Sequence, residues 1–132
     1  MTAARILIVE DEGIIALAFR RLVTALGHTV VGRAASGHEA ITQATALQPD
    51  VVLMDIHLRG VMDGIDAARH IRALAPMPVI HVSAYADEAT AARAWQTAPA
   101  AYLVKPVSHH ALRAALEWAL KGPSPPVQEP PS

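Results

Sequence analysis

At 132 residues, 52% hydrophobic and 17% charged, the chain has the size of one domain and is too apolar to be disordered. A net charge of −1 offers no global attraction to nucleic acid or to an anionic membrane, and the absence of cysteine excludes disulfides and thiolate chemistry. No apolar run approaches a transmembrane span, and the first strand begins too near Met1 for a signal peptide, so a cytoplasmic protein is expected.

Short β-branched runs alternate with longer Ala- and Leu-rich runs, the rhythm of a parallel sheet covered by helices on both faces. The first strand is predicted over 5–10, where Ile6-Leu7-Ile8-Val9 runs into Glu10-Asp11. A helix over 13–26 carries Ile15, Phe19, Leu22 and Leu26 at three- to four-residue spacing, with Gly27 as its stop. A strand over 29–34 follows, then a helix over 37–47 with Ser36 as N-cap and Glu39 as its capping-box partner. The third strand, 50–54, is apolar throughout, as a central parallel strand should be, and it delivers Asp55. A helix over 64–74 leads to a strand over 78–82, which delivers Ser83. Asp87 caps a helix over 87–97 that Pro99 terminates. A strand over 100–104 delivers Lys105-Pro106, and Ser108 caps a last helix over 108–120. The domain is thus assigned to residues 1–121. Residues 122–132, GPSPPVQEPPS, hold five prolines and no apolar periodicity, and read as a disordered tail or linker.

In a parallel α/β sheet the strand C-termini share one edge, and ligands bind there at the switch point in strand order. Glu10, Asp11, Asp55, Ser83 and Lys105 therefore converge although tens of residues separate them. A carboxylate can attack phosphorus to form an acyl phosphate. Three ionised carboxylates against one lysine leave two negative charges, which would repel an anionic donor; one Mg2+ brings the local sum to about zero. Mg2+ prefers oxygen ligands and retains several waters.

Four stretches, Ile6 to Glu12 (ILIVEDE), Val52 to Gly64 (VLMDIHLRGVMDG), Val79 to Ala84 (VIHVSA) and Tyr102 to Pro106 (YLVKP), resemble the response-regulator receiver domain of two-component signalling, in that family's order and spacing. The resemblance covers about residues 5–120 and is chemotaxis-receiver-like, and the loop after Asp55 resembles receivers that stand alone, accompany sensor-kinase modules or precede RNA-binding antiterminators more than those of DNA-binding regulators. It implies a flavodoxin-like doubly wound α/β fold, with a five-stranded parallel sheet in the order 2-1-3-4-5 and five helices. It implies Asp55 as phosphoacceptor, with Asp11 and Asp55 as direct Mg2+ ligands, Glu10 acting through water, and the His57 backbone carbonyl as a further ligand. Lys105 would contact the acyl phosphate, across a cis bond to Pro106 that aims it, and Ser83 would donate to a phosphoryl oxygen. Tyr102 matches the switch aromatic, and the output surface would be the fourth helix, fifth strand and fifth helix, a face that also serves homodimers. The implied partners are a sensor histidine kinase or a histidine phosphotransfer protein and an output protein that the sequence does not name. Direct binding of nucleic acid or membrane is not expected. Such a domain is no enzyme in the usual sense, since it catalyses only its own phosphorylation and dephosphorylation. The start at Met1 favours a complete single-domain regulator over an excised N-terminal receiver.

Two features depart from the common form. Many receivers read D-x-x-M-P after the acceptor, whereas Asp55-Ile56-His57-Leu58-Arg59-Gly60 lacks the proline and lengthens the loop by one residue. Ala98-Pro99-Ala100-Ala101 replaces a usual glycine-containing turn. His57 and Tyr85, two residues after the acceptor and after Ser83, would gate water and slow loss of the phosphoryl group.

Plainer readings compete for several residues. Ile14, Ile15 and Leu17 would dock a kinase or phosphotransfer helix, or simply pack. Arg20 and Arg21 read as a solvated face. His28, His38, His70, His109 and His110 fall on turns or helix surfaces without zinc-ligand spacing, and His81 reads as a buried neutral imidazole. A Mg2+-dependent aspartyl phosphatase of the haloacid-dehalogenase type would place its nucleophile after the first strand with a second aspartate two residues on; here that residue is His57. A receiver-like binding module without phosphate chemistry would ordinarily have lost an acidic residue or the lysine. A nucleotide-binding fold is disfavoured by Glu10-Asp11-Glu12-Gly13, which lacks a glycine-rich loop and would repel pyrophosphate.

Overall fold

The computed structural model describes residues 3–84 and 87–121. Its elements are β1 (Arg5–Val9), α1 (Gly13–Ala25), β2 (Thr29–Ala34), α2 (Gly37–Leu47), β3 (Val51–Asp55), α3 (Gly64–Leu74), β4 (Val79–Ser83), α4 (Glu88–Trp95), β5 (Ala101–Val104) and α5 (His109–Leu120). The five strands are parallel and ordered β2-β1-β3-β4-β5, as expected. Strand order reverses at β1, which lies between β2 and β3, so the crevice beyond the ends of β1 and β3 is the switch point.

Period-two alternation sorts the strand residues into two layers. Ile6, Ile8, Leu53, Ile80 and Val82 pack with Phe19 and Val23 of α1 and Leu112 and Leu116 of α5. Leu7, Val9, Val52, Met54 and Val79 pack with Ala40 and Ala44 of α2 and Ala67, Ala68 and Ile71 of α3. Every residue of β3 and β4 is buried, as a strand covered on both faces requires. Each fully buried Leu, Ile or Val contributes roughly 1.5–3 kcal/mol, so these layers hold the strand ends in place.

Four of the five helix starts follow the capping chemistry, and α1, behind Glu12, has no side-chain cap. Ser36, Asp87 and Ser108 each accept a hydrogen bond from the backbone N–H three residues on, and so does Asp63 at α3, a cap the sequence reading missed. Glu39 accepts from the Ala35 N–H at 2.8 Å, one residue earlier than an ideal capping box. The fourth helix is shorter than expected. It ends at Trp95, before Pro99 can act, because Thr97 N–H and Ala98 N–H turn back to the carbonyls of Ala94 and Trp95. Ala98 then takes a left-handed φ of 52°, where glycine carries no steric penalty and alanine costs roughly 1 kcal/mol.

Two histidines are interior. His28, expected at the surface of a turn, is buried, and its Nδ1 accepts the Ala4 N–H at 3.0 Å. His81 is fully buried, and burial pushes its imidazole down to about 4, so it is neutral at physiological pH. Thr97 donates its hydroxyl to the Ala94 carbonyl at 2.7 Å and therefore accepts from His81 Nε2 at 3.0 Å, which fixes the Nε2–H tautomer.

At Gly64, the first residue of α3, an added Cβ would collide with the Asp55 carbonyl oxygen and lie 2.8 Å from Ile56 Cα. The helix start is thus pressed onto the end of β3, and Gly64 N–H donates to the Ile56 carbonyl at 2.8 Å. Gly64→Ala is expected to destabilise the domain by about 2 kcal/mol or more, through enforced separation of two backbones. Urea denaturation measures this; an unchanged midpoint would mean that α3 can withdraw from β3 without loss.

Candidate functional site

The ends of β1, β3, β4 and β5 lie side by side: Asp55 is in register with Val82, and Ser83 with Val104. Carboxylate oxygens of Glu10, Asp11 and Asp55 all lie within 4.8 Å of one another. Glu10 and Asp55 are almost fully buried, and Lys105 Nζ stands 2.9 Å from Glu10 Oε1 and 3.5 Å from Asp55 Oδ1.

Burial dominates the electrostatics. It raises the Glu10 carboxyl above its ordinary value, against the Lys105 hydrogen bond, and the Asp55 charge adds to the rise. It raises Asp55 in the same way, against the Lys105 charge. Burial alone would depress Lys105, but its hydrogen bond to Glu10 and the charges of Asp55 and Glu10 outweigh that and raise it, so the ammonium is kept.

Backbone donors aim each carboxylate. Glu12 N–H donates to Glu10 Oε2 at 3.2 Å, His57 N–H to Asp55 Oδ1 at 3.3 Å, and Arg59 N–H to Asp11 Oδ2 at 3.0 Å. The Arg33 guanidinium donates twice to the Glu10 carbonyl, at 3.1 and 2.9 Å, tying the end of β1 to the edge strand β2. Neither Arg33 nor Arg59 stands out in the sequence, because Arg33 lies outside the four stretches and Arg59, inside the stretch that follows Asp55, has no role that the resemblance implies. An all-oxygen donor set of this size, with negative charge left over after Lys105, fits a hard divalent cation.

Ser83 is fully buried at the end of β4, and its Oγ lies 3.1 Å from Nε2 of the exposed His57. The other residue expected to gate the pocket, Tyr85, is outside the described residues, as is the tail over 122–132. Tyr102 is half-buried and packs against Ile56, Ile65 and Ala94, and the Lys105–Pro106 peptide is cis. Of the expected docking residues on α1, Ile14 is 87% exposed and Leu17 46%, while Ile15 is half-buried and packs against the core layer beneath α1.

Comparison with known proteins decides the family. The response regulator receiver domain model matches residues 6–117. This chain belongs to that family. Among its relatives, the transcriptional regulatory protein PdtaR of Mycobacterium tuberculosis (strain CDC 1551 / Oshkosh) is 36% identical over 116 residues, 88% of this receiver and 56% of that protein. A protein-glutamate methylesterase/protein-glutamine glutaminase of Pseudomonas syringae pv. syringae is 44% identical over 91 residues, 65% of this receiver and 22% of that protein. This receiver therefore spans about half, or less, of the curated relatives it matches. Among solved structures, the receiver domain of a modulated diguanylate cyclase from Desulfovibrio desulfuricans G20 superposes with a TM-score of 0.84 at 35% identity, covering 90% of this chain and 94% of that one. The response regulator domain of Thermotoga maritima CheB gives 0.75 at 30% identity, covering 88% and 90%. Among the described residues no helix is long and apolar enough to cross a membrane.

The raised carboxyls yield a stability prediction. A carboxyl whose folded value is raised destabilises the fold once ionised, and the penalty vanishes below its ordinary value of 3.8. Without divalent cation at neutral pH, Asp55→Asn is expected to melt several degrees above wild type, at about 4 °C per kcal/mol for a domain of this size. The gap should close as the pH falls toward 3.8. Calorimetric melts of both proteins across that range test it, and a variant no more stable at neutral pH would contradict it.

Proposed function

We propose that this receiver is a phospho-accepting switch of the cytoplasm, with Asp55 as the acceptor. The observation that supports this best is a buried Asp55 beside two further carboxylates and a lysine on one sheet edge. In this reading an Asp55 oxygen attacks the phosphorus of a phosphohistidine on a sensor kinase or phosphotransfer protein. The P–N bond breaks, a P–O bond forms, and the product is an acyl phosphate.

Asp11, Asp55 and the His57 carbonyl would hold Mg2+, with Glu10 acting through water. Once bound, the ion neutralises charge and templates the transfer. Lys105, already ion-paired with Asp55, exchanges that carboxylate oxygen for a phosphoryl oxygen as a point charge. Ser83 turns its hydroxyl toward the phosphoryl group, and Tyr102 moves further into the space behind it. His57, bonded to Ser83 and exposed at the rim, shields the group from water.

A charge-assisted hydrogen bond gained in one state is of the order of 1.4 kcal/mol, enough to shift two conformations tenfold. That bias would reach α4, β5 and α5, where the output partner or a second copy docks. Ile14 and Leu17 of α1 offer apolar contact to the phosphodonor's helix. A receiver-like module without phosphate chemistry is the weaker reading, since every charged position of the pocket is retained.

Intact mass spectrometry after incubation with acetyl phosphate tests the assignment. Wild type with Mg2+ should gain one phosphoryl group, wild type with EDTA should gain little, and Asp55→Asn none. An adduct that persists in Asp55→Asn would move the acceptor elsewhere, and none in wild type would leave the binding-module reading.

A further inference from the structure

Lys105 pairs with Glu10 and Asp55, whereas Asp11 is served from the β3–α3 loop. Two groups of Arg59 converge on one oxygen: the backbone N–H donates to Asp11 Oδ2 at 3.0 Å, and the side-chain Nε lies 3.6 Å from it. Gly60 follows with a φ of 103°, a left-handed turn that a side chain would resist, and it carries the loop away beyond this contact. The two partners differ sharply in exposure. The Arg59 side chain is 84% exposed and the Asp11 side chain only 9%. An arginine on the rim thus caps the most outward carboxylate of the pocket. Counting Arg59 with Lys105 cuts the excess negative charge of the three carboxylates to one.

We propose that Arg59 is the resident counter-ion of Asp11, which an entering divalent cation must displace, so that its guanidinium sets the pocket's cation affinity. The inference rests on the cation reading above. The backbone N–H is fixed and leaves the second lone pair and Oδ1 of Asp11 for a metal, so it orients the carboxylate. The guanidinium is a full positive charge on the same oxygen. It is repelled by a cation bound there, and its long exposed stem lets it swing into water at small cost. The competition is therefore weak and reversible, on the scale of an exposed ion pair.

The test is a calorimetric titration of the whole chain with MgCl2 at low ionic strength, with no phosphodonor present. Arg59→Ala and Arg59→Gln keep the backbone donor and remove the charge. Both are expected to lower the Mg2+ dissociation constant by about two- to fivefold, the scale of an exposed pair. Arg59→Lys, which keeps the charge, should stay near wild type. Arg69→Gln, on α3 and paired with Asp66, should leave the constant unchanged. At high salt the difference between wild type and Arg59→Ala should shrink, since exposed charges are screened. Unchanged or weaker binding in both neutral variants, with wild type binding Mg2+, would overturn the role of Arg59 alone. Absence of Mg2+ binding in every protein would overturn the cation site and this inference with it.

Discussion

Burial of like charge at one sheet edge is the constraint around which the molecule is organised. Glu10 and Asp55 come from neighbouring strands, and both are nearly inaccessible to water. Lys105, 95 residues from Glu10 in sequence, holds the two together at 2.9 and 3.5 Å. That ion pair does not repay the whole cost, because both carboxyls still sit above their ordinary values. The two apolar layers beneath supply the stability that lets such a site persist. Buried carboxyls held above their ordinary values, as these are, mark this edge of the sheet as the candidate functional site.

The surroundings of the pocket differ in firmness, and the difference follows from what holds each part. β3 and β4 are buried throughout, and the start of α3 is pressed against β3 at Gly64. α4 is held more lightly. It has eight residues and buries Ala91 and Ala94, and Arg93 ties it to Asp63 and Asp66 at the start of α3 through partly exposed ion pairs. The Asp66 backbone N–H and the Arg93 charge hold the Asp63 carboxyl below its ordinary value despite partial burial, yet pairs of this exposure are worth about 1 kcal/mol at most. The following loop carries the strained Ala98 next to Thr97, which is anchored to the buried His81. An element with few buried contacts and a strained junction is the kind that small energies can shift.

The pocket's principal residues were legible because each ends an apolar run of strand length, and a parallel sheet leaves such ends no alternative to one shared edge. The same logic failed where contacts come from outside the strands. Arg59 meets Asp11 across 48 residues, and Arg33 meets the Glu10 carbonyl across 23; nothing local marks either side chain. His28 looked like a turn residue, but the chain at Ala4 crosses above it and supplies a buried donor. Ile15 was read both as part of the core stripe of α1 and as a docking residue, and it packs with Phe19, Leu22 and Leu26 as the stripe predicts, while Ile14 and Leu17 lie off the stripe and are exposed.

The sequence by itself determined the alternation of strands and helices, the parallel sheet, and the acidic and basic groups at its carboxyl edge. Hydrophobic periodicity and capping are properties of neighbours in the chain, so they can be read along it. Tertiary structure decided how those charges are shared: Lys105 on Glu10 and Asp55, Arg59 on Asp11, His57 on Ser83. Each pairing joins residues tens of positions apart at distances of 2.9–3.6 Å. A change of one ångström in loop path would reassign them, and no local pattern in the chain encodes that distance.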